Sequence, residues 1–295
     1  MSGRERMILQ ESYRLANGVQ IPKLGLGTWF IEDDKAAQAV RDAVAAGYRL
    51  IDTAQAYGNE RGVGEGVRTC GLPREQLFVT SKVAAEAKSY EAAAQSIDET
   101  LAKMGLEYLD MMIIHSPQPW AEFRGENRYF AENKEVWRAL EDAYEAGKLR
   151  AIGVSNFLQD DLGNLLEGCR IKPMVNQILL HIANTDKALL EYCRARGILV
   201  EAYSPIAHGE ALKNPAITRM AEKYGVTPAR LCIRYVLQLG TVALPKTANP
   251  AHMRDNSAVD FQISPEDMQT LEAMEKIESY GEFDVFPVFS GKPLR

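Results

Sequence analysis

The chain has 295 residues, of which 46% are hydrophobic and 25% are charged, and its 34 basic and 40 acidic side chains give a formal net charge of −6. This composition is typical of a globular protein, and without a cluster of Lys and Arg it argues against nucleic acid or an anionic membrane as a partner. No run approaches the roughly 18 apolar residues of a membrane span, and the start, MSGRERMILQESYRL, is charged where a signal peptide is apolar, so we expect a cytoplasmic protein.

Short apolar runs alternate along the chain with longer segments of helical period, which is the pattern of βα units that build a parallel sheet. The predicted strands cover residues 24–28, 49–54, 77–82, 109–115, 151–156, 175–180, 198–203 and 241–246. The predicted helices cover residues 34–46, 60–69, 89–104, 134–146, 160–168, 186–196, 214–224 and 227–238. The helix over 60–69 contains Gly62, Gly64 and Gly66, each of which weakens a helix interior.

Eight βα units without a Pro/Gly/Ser-rich linker favour a single domain, 1–295, with an α/β, (β/α)₈ TIM-barrel fold. The rival is a doubly wound fold, which needs GxGxxG directly after the first strand. Neither the glycines at 25–27 nor those at 62–66 have that spacing and context. If a dinucleotide binds, we expect it to bind in another way.

Three further segments have recognisable roles in such a barrel. Residues 13–22 predict a hairpin, because Asn17-Gly18 is a strong turn signal between two short extended runs. We expect this hairpin to cover the barrel bottom. Residues 116–133 and the tail after 277 are longer than simple connectors, which is typical of binding loops.

Polar side chains close most of the predicted strands. The C-terminal ends of the strands in a TIM barrel meet at one mouth, so these side chains should share a site there. They come from seven of the eight strands and are Asp52, Lys82, His115, Ser155, Asn156, Gln177, Tyr203, Ser204, Lys246 and Thr247.

Four residues of this mouth suggest proton transfer. Lys82 and Asp52 can form an ion pair, and a cation near the Tyr57 phenol lowers its pKa from about 10. Such a phenol can exchange a proton with an alcohol oxygen, which His115 could orient as a neutral donor. The set has no obvious nucleophile, and the His and Cys spacings predict no metal site. Electrons would then come from a cofactor, which favours reduction of a carbonyl by hydride.

The chain resembles an aldo-keto reductase over nearly its whole length. The matching segments, in the family's order, are GLGTW (25–29), IDTAQAYGNE (51–60), TSK (80–82), IIHSP (113–117), GKLRAIGVSNF (147–157), VNQI (175–178), AYSPI (202–206) and PKT (245–247). The resemblance implies the barrel and NAD(P)H-dependent reduction of aldehydes and ketones. The modest loop lengths resemble the bacterial branch that includes 2,5-diketo-gluconate reductases.

The resemblance also implies the role of each catalytic residue. Tyr57 corresponds to the family's proton donor, and Lys82 and Asp52 to the pair that tunes it. His115 corresponds to the residue that orients the substrate carbonyl.

The cofactor residues follow from the same resemblance. Ser155, Asn156 and Gln177 match side chains that bind the nicotinamide carboxamide, and Tyr203 matches the ring on which the nicotinamide stacks. Ser204 and Ile206 match the loop that folds over the pyrophosphate. Lys246 and Thr247 match the residues that hold the 2′-phosphate, and Asp255 and Asn256 match the pair that binds adenine.

His252 departs from the family pattern, which has an arginine six residues after the lysine. A neutral imidazole can stack on adenine but supplies no permanent charge. Arg254 lies two residues further on, about 200° around a helix, and is a poor substitute. NADP(H) is therefore the expected cofactor, with NAD(H) left open.

The expected substrate is a small carbonyl compound, and the protein is expected to act as a monomer. Trp29, Trp120 and Phe123 are predicted to form aromatic pocket walls, and Arg124 could attract a carboxylate. Two alternatives stay open. One is a cofactor-binding, redox-sensing regulatory subunit with little turnover. The other is a barrel enzyme that acts on a phosphorylated sugar, with Asp52 and Glu201 as its candidate carboxylates.

Overall fold

Eight parallel strands form a closed barrel in a computed structural model that describes residues 7–294. Each strand pairs with the next along the chain, and the sheet closes where Gly27 N donates to Pro245 O (3.0 Å) and Ala243 N donates to Lys23 O (2.9 Å). The barrel strands are β3 (Gly25–Gly27), β4 (Leu50–Asp52), β5 (Phe78–Val83), β6 (Met111–Ile114), β7 (Ile152–Ser155), β8 (Val175–Leu179), β9 (Leu199–Tyr203) and β10 (Val242–Leu244). The predicted TIM barrel and its eight strands are confirmed.

The predicted helices are also present and surround the barrel. They are α1 (Asp33–Ala45), α2 (Glu60–Thr69), α3 (Tyr90–Met104), α4 (Phe130–Glu145), α5 (Gln159–Leu166), α6 (Lys187–Ala195), α7 (Pro215–Lys223) and α8 (Pro228–Gln238). Three more helices follow β10, namely α9 (Pro250–Asn256), α10 (Pro265–Glu272) and α11 (Pro287–Ser290). Asn249, Thr227 and Ser264 each accept a backbone N–H at a helix start, as capping residues before proline should.

The three glycines of α2 allow it to pack closely between α1 and α3. A Cβ atom on Gly62 would lie 2.0 Å from Asp33 O, and one on Gly64 would lie 2.2 Å from Met104 O. A Cβ on Gly66 would lie 2.6 Å from Val40 Cβ. The close approach of neighbouring backbones therefore accounts for residues that weaken the helix by themselves.

The hairpin covers the N-terminal end of the barrel. Its strands, β1 (Ser12–Arg14) and β2 (Gln20–Pro22), pair antiparallel around a turn in which Gly18 has φ 91°. Asn17 Nδ2 donates to Arg150 O at 2.8 Å, just before β7 begins. The predicted position at the barrel bottom is therefore confirmed.

Residues 1–6, at the charged start of the chain, and residue 295 lie outside the described range. Within residues 7–294, no helix is long and apolar enough to cross a membrane.

Candidate active site

A cleft of about 300 Å³ opens at the C-terminal ends of the barrel strands. It brings together most of the site residues that the sequence predicts: Trp29, Asp52, Tyr57, His115, Trp120, Ser155, Asn156, Gln177, Tyr203, Ser204, Ile206 and Lys246. Its position is the one at which TIM-barrel sites are found. The remaining predicted residues lie beneath or beside the cleft and are described below.

Lys82 lies directly beneath Tyr57, where its side chain is fully buried. Its Nζ donates to Asp52 Oδ2 at 2.6 Å and to the Thr53 carbonyl oxygen at 2.8 Å. The third partner is the Tyr57 hydroxyl, at 3.2 Å. The predicted ion pair is therefore present, and it holds a positive charge against the phenol.

The prediction that the pKa of Tyr57 lies below about 10 is wrong for this structure. Burial raises the pKa of the phenol above 10, and Lys82 opposes that rise without reversing it. Burial alone would lower the pKa of Lys82, but Asp52 and Tyr57 more than offset this, so its pKa lies above the ordinary value. At neutral pH Tyr57 thus carries its proton beside a charged lysine, a state suited to donating that proton.

His115 borders the phenol at the end of β6. Its ring centroid lies 5.7 Å from that of Tyr57 and 5.1 Å from that of Trp120. Burial and the charge of Lys82 hold the pKa of His115 well below 6.5, so the imidazole is neutral. Nδ1 has no hydrogen-bond partner among residues 7–294. A neutral imidazole is the form predicted for orienting an oxygen.

Asn156 follows β7, and its side chain links the ends of β6 and β9; its φ is 61°, a left-handed conformation that asparagine tolerates. Its Nδ2 donates to the His115 carbonyl oxygen at 3.0 Å, and its Oδ1 accepts from the Tyr203 hydroxyl at 2.6 Å. Ser155 Oγ donates to the Gln177 carbonyl oxygen at 2.8 Å. These contacts place the polar groups predicted to meet the nicotinamide along one side of the cleft.

Gln177 lies between two carboxyl groups. Its Nε2 donates to Asp52 Oδ1 at 2.9 Å and to Glu201 Oε2 at 3.3 Å. Glu201 is fully buried in β9 and is absent from the predicted catalytic and binding residues of the favoured function. Its position inside the apolar run ILVEAY is the sequence signal that could have assigned it to this site.

The loop after β9 carries Ser204 and Ile206 along the cleft, as predicted. Sequence reasoning missed His208, which follows them in this loop. The ring centroid of His208 lies 3.7 Å from that of Phe283 and 5.6 Å from that of Trp29. The loop is thereby packed against the C-terminal tail, whose residues Phe286, Pro287 and Val288 also line the cleft.

The predicted adenine end is less closely assembled. Lys246 lines the cleft, whereas Thr247, His252, Asp255 and Asn256 do not. His252 is exposed on α9, and Asn256 is buried. Asp255 pairs with Arg230 at 2.5 Å and accepts from Thr227 Oγ1 at 3.0 Å. The roles predicted for these α9 residues remain predictions.

Of the aromatic walls, Trp29 and Trp120 border the cleft and Phe123 does not. Phe123 is buried, because its apolar ring packs beside Trp120 with centroids 5.7 Å apart. Arg124 is likewise outside the cleft, and its Nη1 donates to the Asn156 carbonyl oxygen at 3.0 Å. Both residues face a separate cavity beyond Tyr203.

Within residues 7–294, no group of three His, Cys, Asp or Glu side chains is arranged to bind a metal ion.

Comparison with known proteins shows the family. The model of the Aldo/keto reductase family matches residues 23–276, so the chain belongs to that family and is an oxidoreductase by class. It is 42% identical over 275 residues to glyoxal reductase of Bacillus subtilis (strain 168), covering 92% of this chain and 96% of that one. It is 40% identical to 9,11-endoperoxide prostaglandin H2 reductase of Trypanosoma cruzi (strain CL Brener), covering 90% and 92%.

A solved structure supports the same assignment. The aldo-keto reductase of Bombyx mori in complex with NADP superposes with a TM-score of 0.82 at 29% identity, covering 96% of this chain and 98% of that one. The predicted family is therefore confirmed. The resemblance to the 2,5-diketo-gluconate reductase branch stays a prediction.

Proposed function

We propose that this protein reduces aldehydes or ketones to alcohols, with NADP(H) as the hydride source and Tyr57 as the proton donor; use of NAD(H) is left open. The observation that carries the proposal is the 3.2 Å contact between Lys82 Nζ and the Tyr57 hydroxyl at the floor of the cleft. A carbonyl oxygen that gains negative charge needs a proton, and a positioned phenol supplies it. As that proton leaves, the charge of Lys82 stabilises the phenolate.

The donor set of the cleft fits a nicotinamide dinucleotide. Ser155, Asn156 and Gln177 bring polar groups to the lining of the cleft, and the Tyr203 ring lines it as well. Lys246 also lines the cleft and is the candidate cation for a phosphate group. The Bombyx mori neighbour is a complex with NADP. When bound, the cofactor would supply the hydride, and the residues of this chain would orient the carbonyl and supply the proton.

We further propose that the substrate is a small, uncharged carbonyl compound. The cleft near Tyr57 is bordered by Trp29, Trp120 and Phe286, and Arg124 lies outside it. Aromatic walls favour apolar groups, and a neutral His115 offers no charge to an acid. Similarity to a glyoxal reductase supports a dicarbonyl as the first compound to test.

A panel assay tests this function. Purified protein is given glyoxal, methylglyoxal, benzaldehyde, keto acids and keto sugars with NADPH or NADH, and cofactor consumption is followed by absorbance. We expect turnover of the uncharged aldehydes. Tight cofactor binding without any turnover would favour the regulatory subunit instead.

The acidic net charge of −6 supports the prediction that the protein binds no nucleic acid. The monomeric state and the cytoplasmic location also stay predictions.

A further inference from the structure

The orientation of the Gln177 amide is determined by the groups beneath it. Asp52 Oδ1, which accepts from Gln177 Nε2 at 2.9 Å, belongs to a carboxylate paired with Lys82. A carboxylate only accepts hydrogen bonds, so the amide nitrogen must face it and the amide oxygen must point elsewhere. Gln177 Oε1 has no partner among the described residues, and Gln177 lines the cleft. An unengaged acceptor is thereby presented to whatever occupies the cleft.

Glu201 is the second group that accepts a hydrogen bond from the Gln177 amide nitrogen. It is 0% exposed, and the 3.3 Å contact with Gln177 Nε2 is the hydrogen bond that it makes within residues 7–294. Its other oxygen, Oε1, has no partner there. Burial raises the pKa of Glu201 to about 8, the nearby Asp52 adds to that rise, and Lys82 and Gln177 oppose it. Glu201 is therefore protonated at neutral pH and adds no charge beside Asp52.

Within residues 7–294, Glu201 makes no hydrogen bond or ion pair with Tyr57 or Lys82. A buried carboxyl group is costly unless its polar atoms are bonded. Within residues 7–294, however, one oxygen of Glu201 has no partner, and the other accepts a hydrogen bond from Gln177, a residue of the cleft wall. The two contacts of the amide nitrogen lie on separate strands, Asp52 on β4 and Glu201 on β9. Together they prevent the Gln177 side chain from rotating about its terminal bond.

We propose that Glu201 is a positioning residue that holds the Gln177 amide so that its oxygen accepts from the carboxamide N–H of a bound nicotinamide. This inference rests on the proposed function, because it requires a nicotinamide cofactor in the cleft beside Gln177. It predicts that Glu201 affects the nicotinamide half of the cofactor and not the adenosine half.

Binding measurements with two ligands test it. NADPH carries the nicotinamide, and adenosine 2′,5′-bisphosphate lacks it. Glu201→Leu should weaken NADPH about two- to ten-fold, the range for one hydrogen bond, and leave the bisphosphate affinity unchanged. Glu201→Gln should retain NADPH affinity, because its amide oxygen still accepts from Gln177. Thr80→Val is the control, since it alters a buried barrel side chain whose Oγ1 has no partner in the described chain.

A double-mutant cycle with Gln177→Leu adds a second test, in which Glu201→Leu should have no further effect on NADPH affinity. Equal weakening of both ligands by Glu201→Leu, no weakening of either, or an effect that persists without Gln177 would overturn the inference while leaving the proposed function intact. Wild-type protein that binds neither ligand would overturn both. If Glu201→Leu does not fold, Glu201→Ser, whose side chain is too short to reach Gln177, is judged by the same criteria.

Discussion

Lys82 Nζ lies 3.2 Å from the hydroxyl oxygen of Tyr57, at the boundary between the barrel interior and the cleft. Lys82 is fully buried, so its charge is poorly screened by solvent. The barrel thus supplies a fixed positive charge, and the cleft presents the group that gives up a proton.

Replacement of Lys82 by Met should shift alcohol oxidation to higher pH. Burial already raises the pKa of Tyr57, and Lys82 opposes that rise, so removing the charge raises the pKa further. Oxidation requires the phenolate as base, whose population falls when the pKa rises. The measurement is the pH profile of alcohol oxidation, with the exposed Lys148→Met as control. An unchanged profile would exclude Lys82 as the tuning group.

Replacement of His252 by Arg should shift cofactor preference toward NADPH. His252 is exposed on α9 and supplies no permanent charge, whereas arginine can pair with the 2′-phosphate through two N–H groups. A contact of this kind contributes about 1.5 to 3 kcal/mol, or roughly ten- to hundred-fold in affinity. Fluorescence titration of both cofactors gives the affinity ratio, with Arg254→Ala as control. A ratio that does not rise would place the 2′-phosphate elsewhere.

The sequence predicted the barrel because periodicity and strand-end chemistry are local. Asp52, Lys82 and His115 each close an apolar run, so the topology alone brings them to one mouth. Their convergence followed from the fold once the eight strands were recognised.

What sequence reasoning missed depends on side-chain packing between distant segments. Phe123 was expected in the pocket wall, but it is buried against Trp120. The pKa of Tyr57 was expected to fall because the charge of Lys82 could be foreseen, whereas the extent of burial could not. Glu201 meets Gln177 only because β8 and β9 are paired in register.

Replacement of Gly64 by Ala should destabilise the fold. The added Cβ would lie 2.2 Å from Met104 O, so α2 and α3 would have to separate. Overpacking of this kind costs roughly 1 to 3 kcal/mol. Gly163→Ala in α5 is the matched control, because the nearest atom is Tyr192 Oη at 3.5 Å. Urea unfolding measures both variants, and equal stability of the two would contradict the packing account.

Replacement of Glu201 by Gln should flatten the pH dependence of stability. The folded pKa of Glu201 is about 8 against 4.5 as the unperturbed value, so between these pH values the folded state holds a proton that the unfolded state has lost. Stability therefore falls as pH rises through this window, by up to about 1.4 kcal/mol per pH unit. Chemical unfolding of both proteins across this pH range checks it. Parallel slopes would show that Glu201 is ionised in the folded state.

Turnover by Tyr57→Phe tests the central claim most directly. This variant loses the hydroxyl that gives the proton but keeps the ring that borders the cleft. We predict that kcat for an aldehyde reduced by the wild type falls by at least roughly 10²-fold, with the Kd for NADPH nearly unchanged. Tyr13→Phe in the hairpin is the control and should retain activity. Near-wild-type kcat in Tyr57→Phe would contradict the assignment of Tyr57 as proton donor.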